Sequence, residues 1–250
     1  LVVCRCCASS QPAGLSDEER EKLLPILAEL SRRFFHVCQE VSAIARSVRA
    51  KIEAASVDIT EEKLREQLAR QCRVFEKLEE IQQEVAEQFG CRPEDVQAMQ
   101  QLHAGDARVK VYSEGFRTML DDSLGGAPPA LPGVTIPAAL TEEKVIEIQA
   151  EAQGLETQKV MEAMGGGRFS LKELGKLLDS AHKGAWRETL ARHASLAGGH
   201  EVYHSAVAVY MRNADFAKDR AKLEELHQQR MVKLLQPKSA SEEEVAAAAG

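Results

Sequence analysis

The chain has 250 residues, of which 44% are hydrophobic, 28% are charged and only 4% are aromatic, a composition typical of long amphipathic helices with enough apolar material for a core. Its formal net charge of −7 gives no overall attraction to phosphate backbones or anionic lipid, which argues against nucleic acid as a partner. No apolar run approaches the roughly 18 residues that a membrane-spanning helix needs, so no integral membrane segment is predicted.

Residues 1–15 are expected to form a disordered or processed amino-terminal tail. Six cysteines are split between a cluster in this tail and three isolated positions: Cys4, Cys6, Cys7, Cys38, Cys72 and Cys91. This distribution is not a disulfide framework, and we expect an intracellular, reducing compartment, either cytoplasmic and cytoskeletal or organellar after removal of a targeting segment. The tail itself has three interpretations: the remainder of a targeting segment, a site of S-acylation, or a plain disordered tail.

The first predicted helix carries the strongest pattern in the sequence. It follows Ser16, a capping residue with Glu19 in capping-box register, and Pro25 is expected to bend or restart it, leaving a straight part from about Ile26 to Ala55. Apolar residues alternate at spacings of four and three to form one seam, which we predict to be an interaction face: Leu23, Leu27, Leu30, Phe34, Val37, Val41, Ile44 and Val48.

A second apolar stripe begins after Thr60, a predicted N-cap, and continues to Phe89 before Gly90. Because only a few residues separate the two stripes, they predict a long antiparallel helical hairpin, coiled-coil-like, over residues 17–89. Further apolar residues flank the first seam, so the hairpin alone is not expected to cover its own apolar surface: Leu24, Ile26, Phe35 and Ala45.

The pattern between residue 90 and residue 140 changes twice. A short helix is predicted from Pro93 to about His103, because proline is favoured at the first helical position. Residues 107–122 are ambiguous between strand and helix, and helix is preferred because no second strand is available to pair with them. Residues 124–140 are rich in proline and glycine and are predicted to link the first unit, 16–123, to a second helical unit.

The second unit, 141–236, is predicted to contain four helices. The first runs from about Glu142 to Met164, and the next opens at Ser170 with Glu173 in capping-box register. A short helix is expected around residues 186–197 and a long one over residues 201–235. Residues 237–250 form a low-complexity tail that we expect to be helical only against a partner.

The stretch HEVYH, from His200 to His204, matches the H-E-x-x-H pattern in which two imidazoles bind Zn²⁺ and the glutamate acts as a general base. Two features argue against a zinc hydrolase: no sheet is predicted, and in one unbroken helix Glu224 would lie about 30 Å from His204, too far to be the third ligand. The site would require a helix break near Asn213. We therefore predict no metal, with the two histidines kept as minor zinc candidates.

The stretch around residues 162–173 resembles the end of an EF-hand, with Gly167 at the turn, Phe169 two residues later and Glu173 at the bidentate position. The resemblance covers about 35 residues including the preceding helix, and it implies calcium ligands at Glu162 and Glu173. The third and fifth loop positions, Met164 and Gly166, offer no side-chain oxygen, so the sequence favours a non-binding helix pair.

Taken together, the patterns predict an all-α protein that has no cofactor and no catalytic residues. The expected function is that of a structural or adaptor subunit of a larger assembly, which binds other protein subunits by helix–helix packing through exposed apolar faces. The alternatives are a degenerate EF-hand-like regulatory module and an H-E-x-x-H zinc hydrolase.

Overall fold

The fold is entirely helical in the part of the chain that the structure, a computed structural model, describes: residues 17–56, 58–165 and 169–236. The all-α prediction is confirmed. The chain divides into two compact units between Gly133 and Val134, inside the predicted linker of residues 124–140. The predicted Ser16 cap and both predicted tails lie outside the described residues. None of the described helices combines the length and apolar character needed to cross a membrane.

Unit 1 contains five helices, α1 to α5, with these bounds: Asp17–Ala54, Glu61–Gln71, Val74–Gln88, Pro93–Leu102 and Ala107–Gly125. Helix α1 continues through Pro25, so the predicted restart does not occur. Thr60 caps α2 as predicted, accepting a hydrogen bond from the backbone N–H of Lys63 at 3.4 Å. The ambiguous segment that starts at residue 107 is helical, with Asp106 as its cap.

Helices α2 and α3 return antiparallel along α1. Contacts between side chains give the direction, since Arg49 bonds Glu61 near the turn at 2.7 Å, Lys77 bonds Glu40 at 3.2 Å, and Arg33 bonds Glu84 farther along at 2.9 Å. The predicted hairpin is therefore present, but its second arm is two helices instead of one. The sequence pattern missed the break between Gln71 and Val74.

Helix α5 covers the apolar side of α1 and runs parallel to it. Asp106 lies 3.4 Å from Arg20 near the start of both helices, and the rings of Phe34 and Phe116 are 5.8 Å apart farther along. The loop after α5 also packs within unit 1, where Pro132 rests against Gly115. Burial raises the pKa of Cys38, beside Ser123 of α5, to about 12, as expected for a cysteine that packs as a small hydrophobe.

Unit 2 contains α6 to α10: Glu142–Met164, Leu171–Arg192, Ala194–Ala197, His200–Tyr210 and Ala214–Leu235. The bounds of α6 match the prediction, and Ser170 and Glu173 form the predicted capping box at the start of α7. The short helix expected around 186–197 is wrong, because α7 continues to Arg192 and only α8 follows it. The long helix expected over 201–235 is broken at residues 211–213, where Asn213 caps α10.

Helix α6 is the centre of unit 2, where α9 runs antiparallel to it and α10 runs parallel to it. Tyr203 and Tyr210 of α9 donate hydroxyl hydrogen bonds to the carbonyls of Val145 and Leu140 at 3.2 and 2.6 Å. The apolar core cluster lies around the first part of α6 and takes residues from all five helices and from the segment just before α6: Leu140, Val145, Ile148, Leu190, Ala197, Tyr203, Ala206, Val207 and Phe216.

Candidate functional site

The predicted interaction face lies mainly inside unit 1. Five of its eight residues are buried: Leu23, Leu27, Leu30, Phe34 and Val41. Val37 and Val48 are partly exposed, and Ile44 is 44% exposed. The expectation of an uncovered row is corrected by this burial, because α5 packs on α1 and supplies the cover that the hairpin alone lacks.

The break between α2 and α3 changes which aromatic and aliphatic residues face the core. Arg73 adopts the left-handed conformation, with φ 51° and ψ 44°, and Val74 begins a new helix. The sequence pattern placed Phe75 on the buried stripe, but Val74 is buried in its place and Phe75 is 55% exposed. The turn at Arg73 therefore puts Val74 in place of Phe75 at the start of the stripe, while Leu78 and Val85 farther along α3 are buried as the pattern indicates.

Phe75 lies in a groove on unit 1, called here the Phe75 groove, which encloses about 580 Å³ between α2, α3 and α5. Ala69 and Leu124 contribute buried apolar surface to it. Charged residues of both signs complete its lining: Arg65, Glu66, Arg70, Glu76 and Asp121. An apolar groove with a mixed charged rim is typical of surfaces that receive the apolar side of a helix.

The HEVYH histidines lie together at the start of α9. The rings of His200 and His204 are 4.2 Å apart, and the indole of Trp186 lies 6.1 Å from His204. The helix break near Asn213, which a zinc site would need, is present. Glu224 is nevertheless held by Arg220 at 2.9 Å, and no three His, Cys, Asp or Glu residues in the described ranges are placed to hold a metal ion.

Both histidines line a cleft in unit 2, called here the histidine cleft, which encloses about 540 Å³. The remaining lining comes from one face of α7: His182, Lys183, Trp186, Arg187 and Leu190. The sequence singled out His200 and His204 but not the residues of α7. Their spacing is that of a helix face, yet nothing in the sequence indicates that this face meets α9.

A buried carboxylate contacts one of the histidines that line the cleft. Glu156 of α6 is 8% exposed and accepts a hydrogen bond from Nδ1 of His182 at 3.0 Å, while Nε2 of His227 lies 3.5 Å away. Burial raises the pKa of Glu156, but the bond from His182 and the charges of both imidazoles outweigh it and the net pKa is lowered. The same bond raises the pKa of His182 above its ordinary value. The bond fixes the orientation of the His182 ring and favours its charged form.

The EF-hand resemblance is not accompanied by a calcium site in the described part of the loop. Glu162 is exposed and accepts a hydrogen bond from Gln158, and Glu173 is used by the capping box, accepting the backbone N–H of Ser170 at 2.9 Å. Residues 166–168 lie outside the described ranges. Helices α6 and α7 pack side by side and antiparallel, as the contact from Glu151 to Arg192 at 2.9 Å indicates, whereas EF-hand helices diverge from their loop.

No protein-family model, curated protein or solved structure matches this chain. The functional arguments below therefore depend on the geometry of the two units.

Proposed function

We propose that this protein is a non-catalytic helical adaptor of a larger protein assembly, and that it binds a partner helix through the Phe75 groove of unit 1. The proposal keeps the type of partner that the sequence predicts, a protein subunit bound by helix–helix packing. It moves the binding surface from the buried seam of α1 to the opposite arm of the hairpin.

The observation that carries the proposal is the exposed position of Phe75. An aromatic ring that is 55% exposed forfeits much of the roughly 1.5–3 kcal/mol that burial of a large apolar side chain supplies. The chain reaches this arrangement through Arg73, a non-glycine residue whose backbone lies in the left-handed region. This conformation costs about 1–2 kcal/mol. Backbone strain of this kind is concentrated at functional sites.

The chemistry of the groove favours one type of partner. Its floor offers apolar contact from Ala69 and Leu124, which suits one or two apolar anchors on the partner. Its rim carries both basic and acidic residues, and Arg65 is paired with Glu61 at 2.7 Å. A helix with an apolar stripe flanked by charges of both signs matches this surface, as in helix-in-groove complexes.

The test places a photo-crosslinking amino acid at Phe75 and, as a control, at Val111, which is 49% exposed on α5. We expect a discrete partner from position 75 in native extract, with no such product from position 111. Phe75→Ala should abolish binding of the identified partner while changing stability by less than about 0.5 kcal/mol. Val111→Ala should leave both unchanged.

A second variant separates binding from folding. Val74→Ala should cost unit 1 about 2 kcal/mol because Val74 is buried, yet the folded fraction should still bind the partner. The proposal that a partner binds in the Phe75 groove would be refuted if positions 75 and 111 gave the same crosslinked products, or if Phe75→Ala bound the partner fully.

A further inference from the structure

The histidine cleft of unit 2 has a basic and aromatic lining in an acidic protein. Of the residues that line it, none is a carboxylate, although the formal net charge of the chain is −7. Two of them carry permanent charges, Lys183 and Arg187, and three are imidazoles. A volume of about 540 Å³ falls within the range of pockets that hold small organic molecules.

Trp186 provides a fixed aromatic wall. Its ring lies 5.4 Å from that of Tyr203, which is buried and whose hydroxyl bonds the carbonyl of Val145. The rings of His182 and His204 are 6.3 and 6.1 Å from the indole. Half-buried aromatic rings held in this way suit stacking against a planar ring.

Arg187 supplies the charge that the protein itself does not neutralise. It makes no hydrogen bond or ion pair with any residue in the described ranges, whereas Lys183 is paired with Asp179 at 2.8 Å. The guanidinium is always charged and presents a planar set of donors that fits carboxylate and phosphate groups. A charge in this position favours an anion in the cleft.

We propose that the histidine cleft binds a small organic anion that carries a planar ring, with Trp186 stacking on the ring and Arg187 bonding the phosphate or carboxylate. The lining favours an anion over a metal ion, because the three imidazoles do not form a group placed to hold a metal. This site is independent of the Phe75 groove, which lies in the other unit and binds a different class of partner.

Trp186 is the single tryptophan of the chain, so intrinsic fluorescence reports directly on the cleft. The full chain is titrated with two matched pairs of probes: AMP against adenosine for phosphate, and nicotinate against nicotinamide for carboxylate. We expect a saturable change in fluorescence with at least one anion, and affinity at least tenfold weaker for its neutral counterpart. The preferred pair identifies the anionic group.

The matched variants are Arg187→Gln in the cleft and Arg212→Gln, another exposed arginine of unit 2 outside it. Loss of a charge-assisted bond should weaken anion binding about tenfold or more in Arg187→Gln and leave it unchanged in Arg212→Gln. Both variants should unfold at the temperature of the original protein. Equal affinity for charged and neutral probes, equal loss in both variants, or no saturable binding of either anion at millimolar concentration would overturn the proposal.

Discussion

Replacing Arg73 with glycine tests the break between α2 and α3, because the sign of the effect depends on whether the chain turns there. With φ 51° and ψ 44°, Arg73 occupies a conformation that costs about 1–2 kcal/mol for a residue with a Cβ. Glycine adopts the same angles without this cost. Arg73→Gly should therefore stabilise unit 1 if the break is present.

The magnitude follows from two opposing contributions. Relief of strain is worth about 1–2 kcal/mol, and the greater freedom of glycine in the unfolded chain removes about 0.5–1 kcal/mol of it. The side chain that is lost contributes little, since the Arg73 to Glu76 ion pair is long, at 3.9 Å, and solvent-exposed. We expect a net gain of about 0.5–1 kcal/mol.

Urea denaturation provides the assay. Far-UV circular dichroism follows the unfolding of both units, whereas the fluorescence of Trp186 follows the unfolding of unit 2 alone. A transition that is seen by circular dichroism and not by fluorescence is therefore assigned to unit 1. Glu80→Gly is the control, because Glu80 is exposed inside α3 and glycine there should cost about 1 kcal/mol.

The two variants should move the urea midpoint in opposite directions. If α2 and α3 formed one continuous helix, Arg73→Gly would lose about 1 kcal/mol, as Glu80→Gly does. A loss of that size would refute the break and, with it, the outward placement of Phe75.

Three further predictions concern packing and pH. Gly115→Ala should destabilise unit 1 by about 1–3 kcal/mol in thermal unfolding, because the added Cβ would lie 2.5 Å from Pro132. Gly154→Ala should stabilise unit 2 by up to about 1 kcal/mol, since this helical position is exposed and open; a loss there would contradict the packing of α6. Because the pKa of His182 is raised, its contribution to the stability of unit 2 is complete below pH 6.5 and is lost as the pH rises through the raised pKa. Because the pKa of Glu156 is lowered, its contribution to the stability of unit 2 is present above pH 4.5 and is lost as the pH falls through the lowered pKa. Urea midpoints from tryptophan fluorescence should show this window, and Glu156→Gln should flatten it.

Elements governed by local rules could be predicted closely from the sequence. The bounds of α6 and the capping box of α7 needed only residues within a few positions of each other, and Ser170 Oγ accepts the N–H of Glu173 as its pattern indicates. The alternating spacing along α1 picked out eight residues, of which five are buried. It could not identify the element that buries them, because that depends on contacts such as Phe34 with Phe116.

The helix break at Arg73 had no local signal, since neither glycine nor proline stands there. Its energy is decided by tertiary packing, in which Val74 replaces Phe75 against the core. The break before α10 did have a local signal in the sequence. Asn213 is a favoured capping residue, and its side chain accepts the backbone N–H of Asp215 at 3.0 Å.

The candidate sites were only partly accessible from the sequence. HEVYH identified two residues of the histidine cleft, because a pair of histidines four apart is visible in any helix. Trp186 and Arg187 belong to no motif, and they join the histidines only through the packing of α7 beside α9. The Phe75 groove likewise depends on the turn that precedes it.

The polar residues inside unit 2 fix the alignment of its helices. Gln149 and Glu156 lie on the same side of α6, where Arg220 bonds Gln149 at 3.0 Å and His227 lies beside Glu156. Apolar contacts tolerate a slide of one helical turn, but such a slide of α10 would separate Arg220 from Gln149 and His227 from Glu156. These polar contacts therefore favour a single longitudinal register of α10 along α6.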